Sequence, residues 1–263
     1  MLINSKPIFL HITDQTLLKK YQQPIIDLFK ECFGRELSAI MWDWVYIKNP
    51  LGDPLVNLAI LGEKVVGHYA FIPIATTKFR VLLSLTTMVS PSARKYNIFF
   101  DLANKSYDFA KQIGYEFIIG FPNKNSVLVH EKLLDWKILK TFVAQCSLQD
   151  LDNKIPTPPN NNHLCMLDIN HADFIDWRTS KPNISYHRQG DIFYKTYQSN
   201  IDLLTQRHNG TNLHFSNNSK FNFLTSLTEL QKYKIFEYPF AIKNLGNSES
   251  PIFYPELLMS DVF

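Results

Sequence analysis

The sequence predicts a layered α/β chain, with a mixed central sheet flanked by helices, followed by a second, smaller mixed domain. Three observations carry that expectation. Between residues 22 and 146, runs with helical spacing alternate with β-branched and leucine-rich runs of strand length. Tyr115–Phe121 is nearly all apolar, the composition of a strand covered on both faces. A polar tract at 150–163, DLDNKIPTPPNNNH, then interrupts the pattern with three prolines and three consecutive asparagines. The expected organisation is a first domain over 1–149, a linker over 150–163, and a second domain over 164–263.

The elements of the first part follow from local chemistry. Gln22–Phe33 sets Ile25, Ile26, Phe29, Cys32 and Phe33 at helical spacing, with Pro24 in the first turn and Gly34 as the stop. Ser38 suits the N-cap of a second helix carrying Ile40, Met41, Trp44 and Val45, closed by Asn49-Pro50-Leu51-Gly52. Leu55–Leu61 and Val65–Ile74, separated by Gly62-Glu63-Lys64, read as a hairpin, and Phe79–Val89 as a third strand ended by Ser90-Pro91. Ile98, Phe99, Leu102, Ala103, Ser106, Phe109, Ala110 and Ile113 form the continuous stripe of a strong helix, with Gly114 as its C-terminal stop. After the 115–121 strand, Asn125–Leu134 reads as a short helix and Trp136–Cys146 as one more strand. From Leu164 onward the chain is aromatic-rich, and 174–178, 191–204 and 221–232 carry mixed strand and helix signals; His208–Ser219 reads as a loop.

Composition narrows the function classes. The chain has 263 residues, 45% of them hydrophobic and 19% charged, enough to bury a sizeable core. Lys plus Arg number 27 against 24 Asp plus Glu, a net charge of +3, so nucleic acid is not expected as the main partner. No apolar run approaches the roughly 20 residues of a membrane span. Met1–Leu10 lacks a charged start followed by an apolar stretch, so neither membrane nor secretion is expected, and the cytoplasm is the expected location. Three cysteines, Cys32, Cys146 and Cys165, are too few and too scattered for a disulfide framework or a metal site. The eight histidines show no paired short spacing, so no metal is expected.

The segment Thr86–Phe100, TTMVSPSARKYNIFF, carries the most chemistry. A strand ends at Val89, a loop carries Arg94 and Lys95, and a helix starts near Asn97. The free N–H groups and positive dipole of a helix start, next to two cations, suit an anion. An ordinary strand-to-helix connection with solvated charges has the same pattern, and both readings stand at this point.

With GYEFIIGFPNKNSVLVHEKLLDW following it, the segment resembles the acetyl-CoA-dependent N-acetyltransferases of the GNAT superfamily. In that family a strand leads into an Arg/Gln-x-x-Gly-x-Gly/Ala loop whose amides hold the cofactor pyrophosphate. Here the loop is Arg94-Lys95-Tyr96-Asn97-Ile98-Phe99, with Asn97 and Phe99 at the glycine positions. Asparagine is the milder replacement, since it tolerates left-handed backbone angles. A second family pattern, an Asn, a small residue, a Tyr, then Lys and Leu-Gly-Phe/Trp, falls on Asn123, Ser126, His130, Lys132 and Leu134-Asp135-Trp136. His130 thus takes the place of the family tyrosine and Asp135 that of a glycine. Phe121-Pro122-Asn123, together with Trp44, Lys48, Asn49-Pro50 and Gly52, is similar to a branch met among bacterial surface-polysaccharide genes. Asp176-Trp177-Arg178 and Ser260-Asp261-Val262 are similar to the second half of that branch.

The resemblance implies acetyl transfer from acetyl-CoA to a small-molecule amine in a ternary complex, with a nucleotide-linked amino sugar as the acceptor in this branch. It implies that Met88 or Val89 supplies an oxyanion-binding amide and that Arg94, Lys95, Tyr96, Asn97, Ile98, Phe99, Asn123 and Ser126 hold the cofactor. His130, at the tyrosine position, is a candidate acid or base. His68, on the neighbouring strand in Gly67-His68-Tyr69, is another, because histidine titrates near neutral pH. Trp42, Trp177, Arg178, Tyr186 and His187 are candidates to line an acceptor cleft, where Arg178 and Arg188 suit a phosphate. Two other classes stand beside it: a non-catalytic module binding CoA or a partner, which the missing loop glycines and tyrosine favour and the Asn123-x-x-Ser126 pattern opposes, and a transfer-RNA-dependent aminoacyl transferase, which a net charge of +3 disfavours.

Overall fold

The computed structural model describes residues 6–151, 156–197, 200–207, 215, 219–246 and 251–260, with the backbone alone at 95 and 96. The chain forms two compact units. The first holds 1–74, 80–119 and 243–247; the second holds 75–79, 120–242 and 248–263. The changeover in the chain therefore falls at 119/120, and the 150–163 tract lies within the second unit.

The first unit runs β1 (Ile8–Ile12), α1 (Gln15–Lys20), α2 (Gln22–Phe33), α3 (Ala39–Tyr46), β2 (Leu55–Leu61), β3 (Lys64–Ile74), β4 (Val81–Val89), α4 (Ile98–Gln112) and β5 (Phe117–Gly120). The strands lie in the order β1-β2-β3-β4-β5. The first four pair antiparallel, and β5 is parallel to β4. Helix starts are chemically marked: Asp14 Oδ1 accepts the Leu17 N–H at 2.7 Å and Ser38 Oγ accepts the Met41 N–H at 3.2 Å. Each such cap contributes about 1 kcal/mol. The stripe helix α4 ends at Gln112, and two residues on Gly114 takes a φ of +87° that a side chain would resist, with Arg80 Nη1 donating to the Ile113 and Gly114 carbonyls there.

Alternation along β3 sends neighbouring residues to opposite faces. Gly67 faces α4, where an added Cβ would lie 3.0 Å from Ile98 Cγ2 and 3.3 Å from Leu102 Cδ2. Tyr69 shares that face and its hydroxyl meets that of Tyr107 on α4 at 3.2 Å. His68 points to the other face, where its ring lies edge-on to Tyr46 of α3. Helices thus cover both faces of this sheet, and its central strands are buried accordingly.

The second unit contains α5 (Val127–Leu133), β6 (Lys137–Leu139), β7 (Phe142–Ser147), β8 (Leu164–Cys165), α6 (Ala172–Arg178), β9 (Tyr186–Gln189), β10 (Ile192–Tyr197), β11 (Asn200–Leu203), β12 (Lys220–Thr225), β13 (Lys234–Glu237), β14 (Phe240–Asn244, shared at its end with the first unit), β15 (Ile252–Phe253) and α7 (Leu257–Ser260). A six-stranded sheet has the order β13-β7-β12-β11-β10-β9. Phe142, Cys146, Ile192, Leu203, Phe221 and Phe223 fill its core. The single strand expected over Trp136–Cys146 is two. Thr141, at the break, donates through Oγ1 to the Tyr238 carbonyl and accepts the Tyr238 N–H, so the chain turns there. β6 then pairs with β14, and β7 with β12 and β13. A buried bidentate pair, Arg207 to Glu256, ties the segment after β11 to the one after β15.

Candidate active site

The site in the first unit is built around the C-terminal half of β4. Its pairing with β5 covers Val81–Phe117, Leu82–Ile118 and Leu83–Ile119 and then stops. From Ser84 to Val89, β3 is the pairing neighbour among the described strands. The β3–β4 register passes from His68–Met88 to Ala70–Leu85, so Tyr69 faces two residues, Thr86 and Thr87. This is a β-bulge on β4, and Thr86 adopts φ +46° within it. Positive φ is a sparsely populated region for a β-branched residue and costs about 1–3 kcal/mol.

Two hydrogen bonds hold Thr86 there. Its Oγ1 bonds the Tyr46 hydroxyl at 2.7 Å, and its carbonyl lies 2.7 Å from His68 Nδ1. A carbonyl only accepts, so Nδ1 is the protonated nitrogen and the ring is its donor. His68 is fully buried; burial pushes its pKa down to about 4, with the bond to Thr86 opposing. Its Nε2 has no hydrogen-bond partner among the described residues, and neither does Trp42 Nε1.

Past the bulge, the Ser90 N–H donates to the Val66 carbonyl at 2.8 Å, so Ser90 faces β3. Alternation then turns the N–H and carbonyl of Val89 to the open side of β4, and those of Met88 toward β3. The Val89 carbonyl lies 3.5 Å from Arg94 Nε and 3.6 Å from Cys32 Sγ. The following loop is anchored at its base. Ser90 Oγ donates to Glu31 at 2.5 Å and bonds Ser92 Oγ at 2.8 Å, and Lys64 reaches Glu31 at 3.0 Å. The Ser90 hydroxyl first, then Lys64, hold the Glu31 carboxyl below its usual range.

Pro91–Tyr96 form a 3₁₀ turn that leaves Arg94 exposed, and the side chains of Lys95 and Tyr96 lie outside the described residues. Asn97 then takes φ +54° and makes no side-chain cap to α4, so the helix-start amides are not occupied by it. Ile98 is buried and Phe99 half-buried. The fold therefore brings together Met88, Val89, Arg94, Asn97, Ile98 and Phe99, with His68 beneath.

Asn123, Ser126 and His130 belong to the second unit. Asn123 Oδ1 accepts the N–H groups of Asn125 and Ser126 at 3.0 and 3.1 Å, forming the turn that starts α5. His130 is 7% exposed, bonds the Ser126 carbonyl through Nδ1 at 2.8 Å and meets Trp136 edge-on. Burial lowers its pKa. Both histidines are thus buried, His68 fully and His130 nearly so. Asp135, at the family's glycine position, has φ +55°.

No family model matches the chain, and no curated protein matches its sequence. Solved structures do. A conserved protein from Enterococcus faecalis described as a probable N-acyltransferase aligns with a TM-score of 0.61 at 8% identity, over 92% of this chain and 73% of that one. A GCN5-related N-acetyltransferase from Kribbella flavida aligns at 0.57 and 10% identity, over 90% and 72%. A tandem GNAT protein of the clavulanic acid biosynthesis pathway aligns at 0.51 and 10% identity, over 93% and 100%. The chain has the GNAT fold.

Within that GNAT fold, the residues expected to line an acceptor cleft separate by burial. Trp42 is fully buried on α3, its ring against Tyr46. Trp177 and Arg178 are buried on α6, where Arg178 Nε donates to the Leu258 carbonyl at 2.8 Å. These three are interior residues, a correction to the expectation. Tyr186 is half-buried and His187 exposed, stacked on Tyr194. An open cleft of about 340 Å³ in the second unit is lined by other residues, among them Leu139, Thr141, Leu224 and Phe253. Tyr46 and Thr86 escaped sequence reasoning. Their signal is faint: the alternation of β4 breaks at the Thr86-Thr87 pair.

Proposed function

We propose that the chain is an N-acetyltransferase, moving an acetyl group from acetyl-CoA to the nitrogen of a small-molecule amine by direct attack. The observation that carries this reading is the open side of β4 beyond its bulge, on a GNAT fold. When bound, acetyl-CoA supplies an activated acyl carbon and a thiolate leaving group. The Val89 N–H, turned to the open side, is the group suited to developing charge on the acyl oxygen. Such a preorganised donor contributes on the order of 10²–10³ in rate. Arg94 and the start of α4, where Asn97 makes no side-chain cap, fit a diphosphate, a cation beside the positive end of a helix dipole. No buried histidine is needed to carry the amine's proton, which can leave to solvent.

The acceptor we infer is the amino group of a nucleotide-linked amino sugar. This rests on the likeness of Trp44, Lys48, Asn49-Pro50, Gly52 and Phe121-Pro122-Asn123 to the polysaccharide branch, with exposed His187 and Arg188 on β9 offering diphosphate-binding chemistry. Thiol release from acetyl-CoA, measured against a panel of nucleotide-linked amino sugars, their N-acetylated forms and simple amines, tests it. Release with the free amino sugars and none with the acetylated ones is expected. Release with simple amines alone would keep the acetyltransferase and remove the sugar. Acetyl-CoA binding with no release for any amine would make the chain a non-catalytic binding module.

A further inference from the structure

We infer that Tyr46 and His68 are positioning residues for the thioester site, clamping Thr86 so that the bulge of β4 presents the Val89 amide to its open side. The inference rests on the acetyl-CoA reading above and goes beyond it by naming the device that shapes the site. Thr86 is the strained residue of β4: a branched side chain at φ +46°, where glycine or asparagine is the usual occupant. Such a conformation persists only where its surroundings over-determine it. Here both ends of the residue are held. Tyr46, from the last turn of α3, bonds the side-chain oxygen at 2.7 Å, and His68, from β3, donates to the backbone carbonyl at 2.7 Å.

Neither clamping residue is spare core filler. The bond to Thr86 is the hydrogen bond that His68 makes among the described residues, since its other ring nitrogen has no partner there. On the opposite face of β3, the Tyr69 hydroxyl bonds Ser84 and Tyr107, so the strand is fixed just before the bulge as well. Removing the Tyr46 or His68 contact leaves Thr86 free to return to an extended conformation. In a strand, one residue of slippage exchanges the two sides. The Val89 N–H would then turn toward β3, and the open side would lose its donor.

Substitutions separate this role from simple packing. His68→Leu removes the donor, whereas His68→Asn keeps an N–H near the position of Nδ1. Tyr46→Phe removes only a hydroxyl. Thr86→Gly makes positive φ free of strain, so it should make the clamp unnecessary. Two readouts on the full chain apply: calorimetric titration with acetyl-CoA, and amide NMR of Val89 with imidazole nitrogen NMR of His68. The expected result is acetyl-CoA binding weakened about tenfold by His68→Leu and by Tyr46→Phe, close to wild type in His68→Asn, and recovered when Thr86→Gly is added to His68→Leu. The Val89 amide signal should shift in His68→Leu and return in the rescued protein, and the wild-type ring should carry its proton on Nδ1.

Wild-type affinity in His68→Leu, or no rescue by Thr86→Gly, would overturn the clamp while leaving the acetyl-CoA reading in place. Should the wild type bind no acetyl-CoA, that reading fails by itself. The clamp is then judged by NMR, where an unmoved Val89 amide in His68→Leu rejects it and a moved and rescued one retains it.

Discussion

In the proposed site, Thr86 and Asn97 are set apart by a positive φ and His68 by complete burial. His68 has an immediate pH consequence. Its folded pKa lies near 4 against an ordinary 6.5, so between those values the unfolded chain binds a proton that the folded ring refuses. The stabilisation is complete above pH 6.5 and is lost as pH falls toward 4, by about 3 kcal/mol in total. Urea unfolding of the wild type and of His68→Asn across that window measures it. The wild type should lose stability more steeply on acidification, and parallel curves would show that His68 is not held neutral. Of the three positions compared with family glycines, Phe99 lies inside α4 with ordinary helical φ. Asn97 and Asp135 both take positive φ, of +54° and +55°. The role of Thr86 was barely legible: the broken alternation at Thr86-Thr87 is its one mark in the sequence, and its φ is set by Tyr46 and His68 from two other elements.

At the scale of elements, α4 is seated on the sheet by the absence of a side chain at Gly67. A methyl group there would meet Ala59 Cβ and Ile98 Cγ2 at 3.0 Å and Leu102 Cδ2 at 3.3 Å. Ile98 and Leu102 are buried on α4 and Ala59 is fixed to β2, so none can yield freely. Gly67→Ala should therefore destabilise the chain by about 1–3 kcal/mol, readable as a lower Tm. It should also weaken acetyl-CoA binding, because Ile98 opens α4 directly after the Arg94 loop. An unchanged Tm would mean that the helix can lift without penalty. The elements of the first unit from α2 to β5 were legible because each carries its own period and its own stop. β1 and α1 were not, being a five-residue edge strand and a six-residue helix too short to show a period. The break between β6 and β7 was hidden for a different reason. An apolar run looks continuous in sequence, while the turn at Thr141 is fixed by Tyr238, nearly a hundred residues away.

For the whole molecule, the α/β layering was legible in the alternation of helical and strand-length runs, whereas the points where the two units exchange chain were not. Segment 75–79 belongs to the second unit and 243–247 to the first, and no local signal marks such an exchange. The same limit explains the acceptor-cleft residues. Trp177 and Arg178 are polar-capable side chains in an aromatic-rich stretch, and only the packing of α6 reveals them as interior. The GNAT fold leaves one claim on which everything else depends, that this chain binds acetyl-CoA on the open side of β4. Calorimetric titration of the full chain with acetyl-CoA, run beside Arg94→Ala, tests it most directly. Saturable binding near the micromolar range is expected, weakened about tenfold when the Arg94 guanidinium is removed. No binding up to millimolar acetyl-CoA would contradict it, and so would binding that Arg94→Ala leaves unchanged.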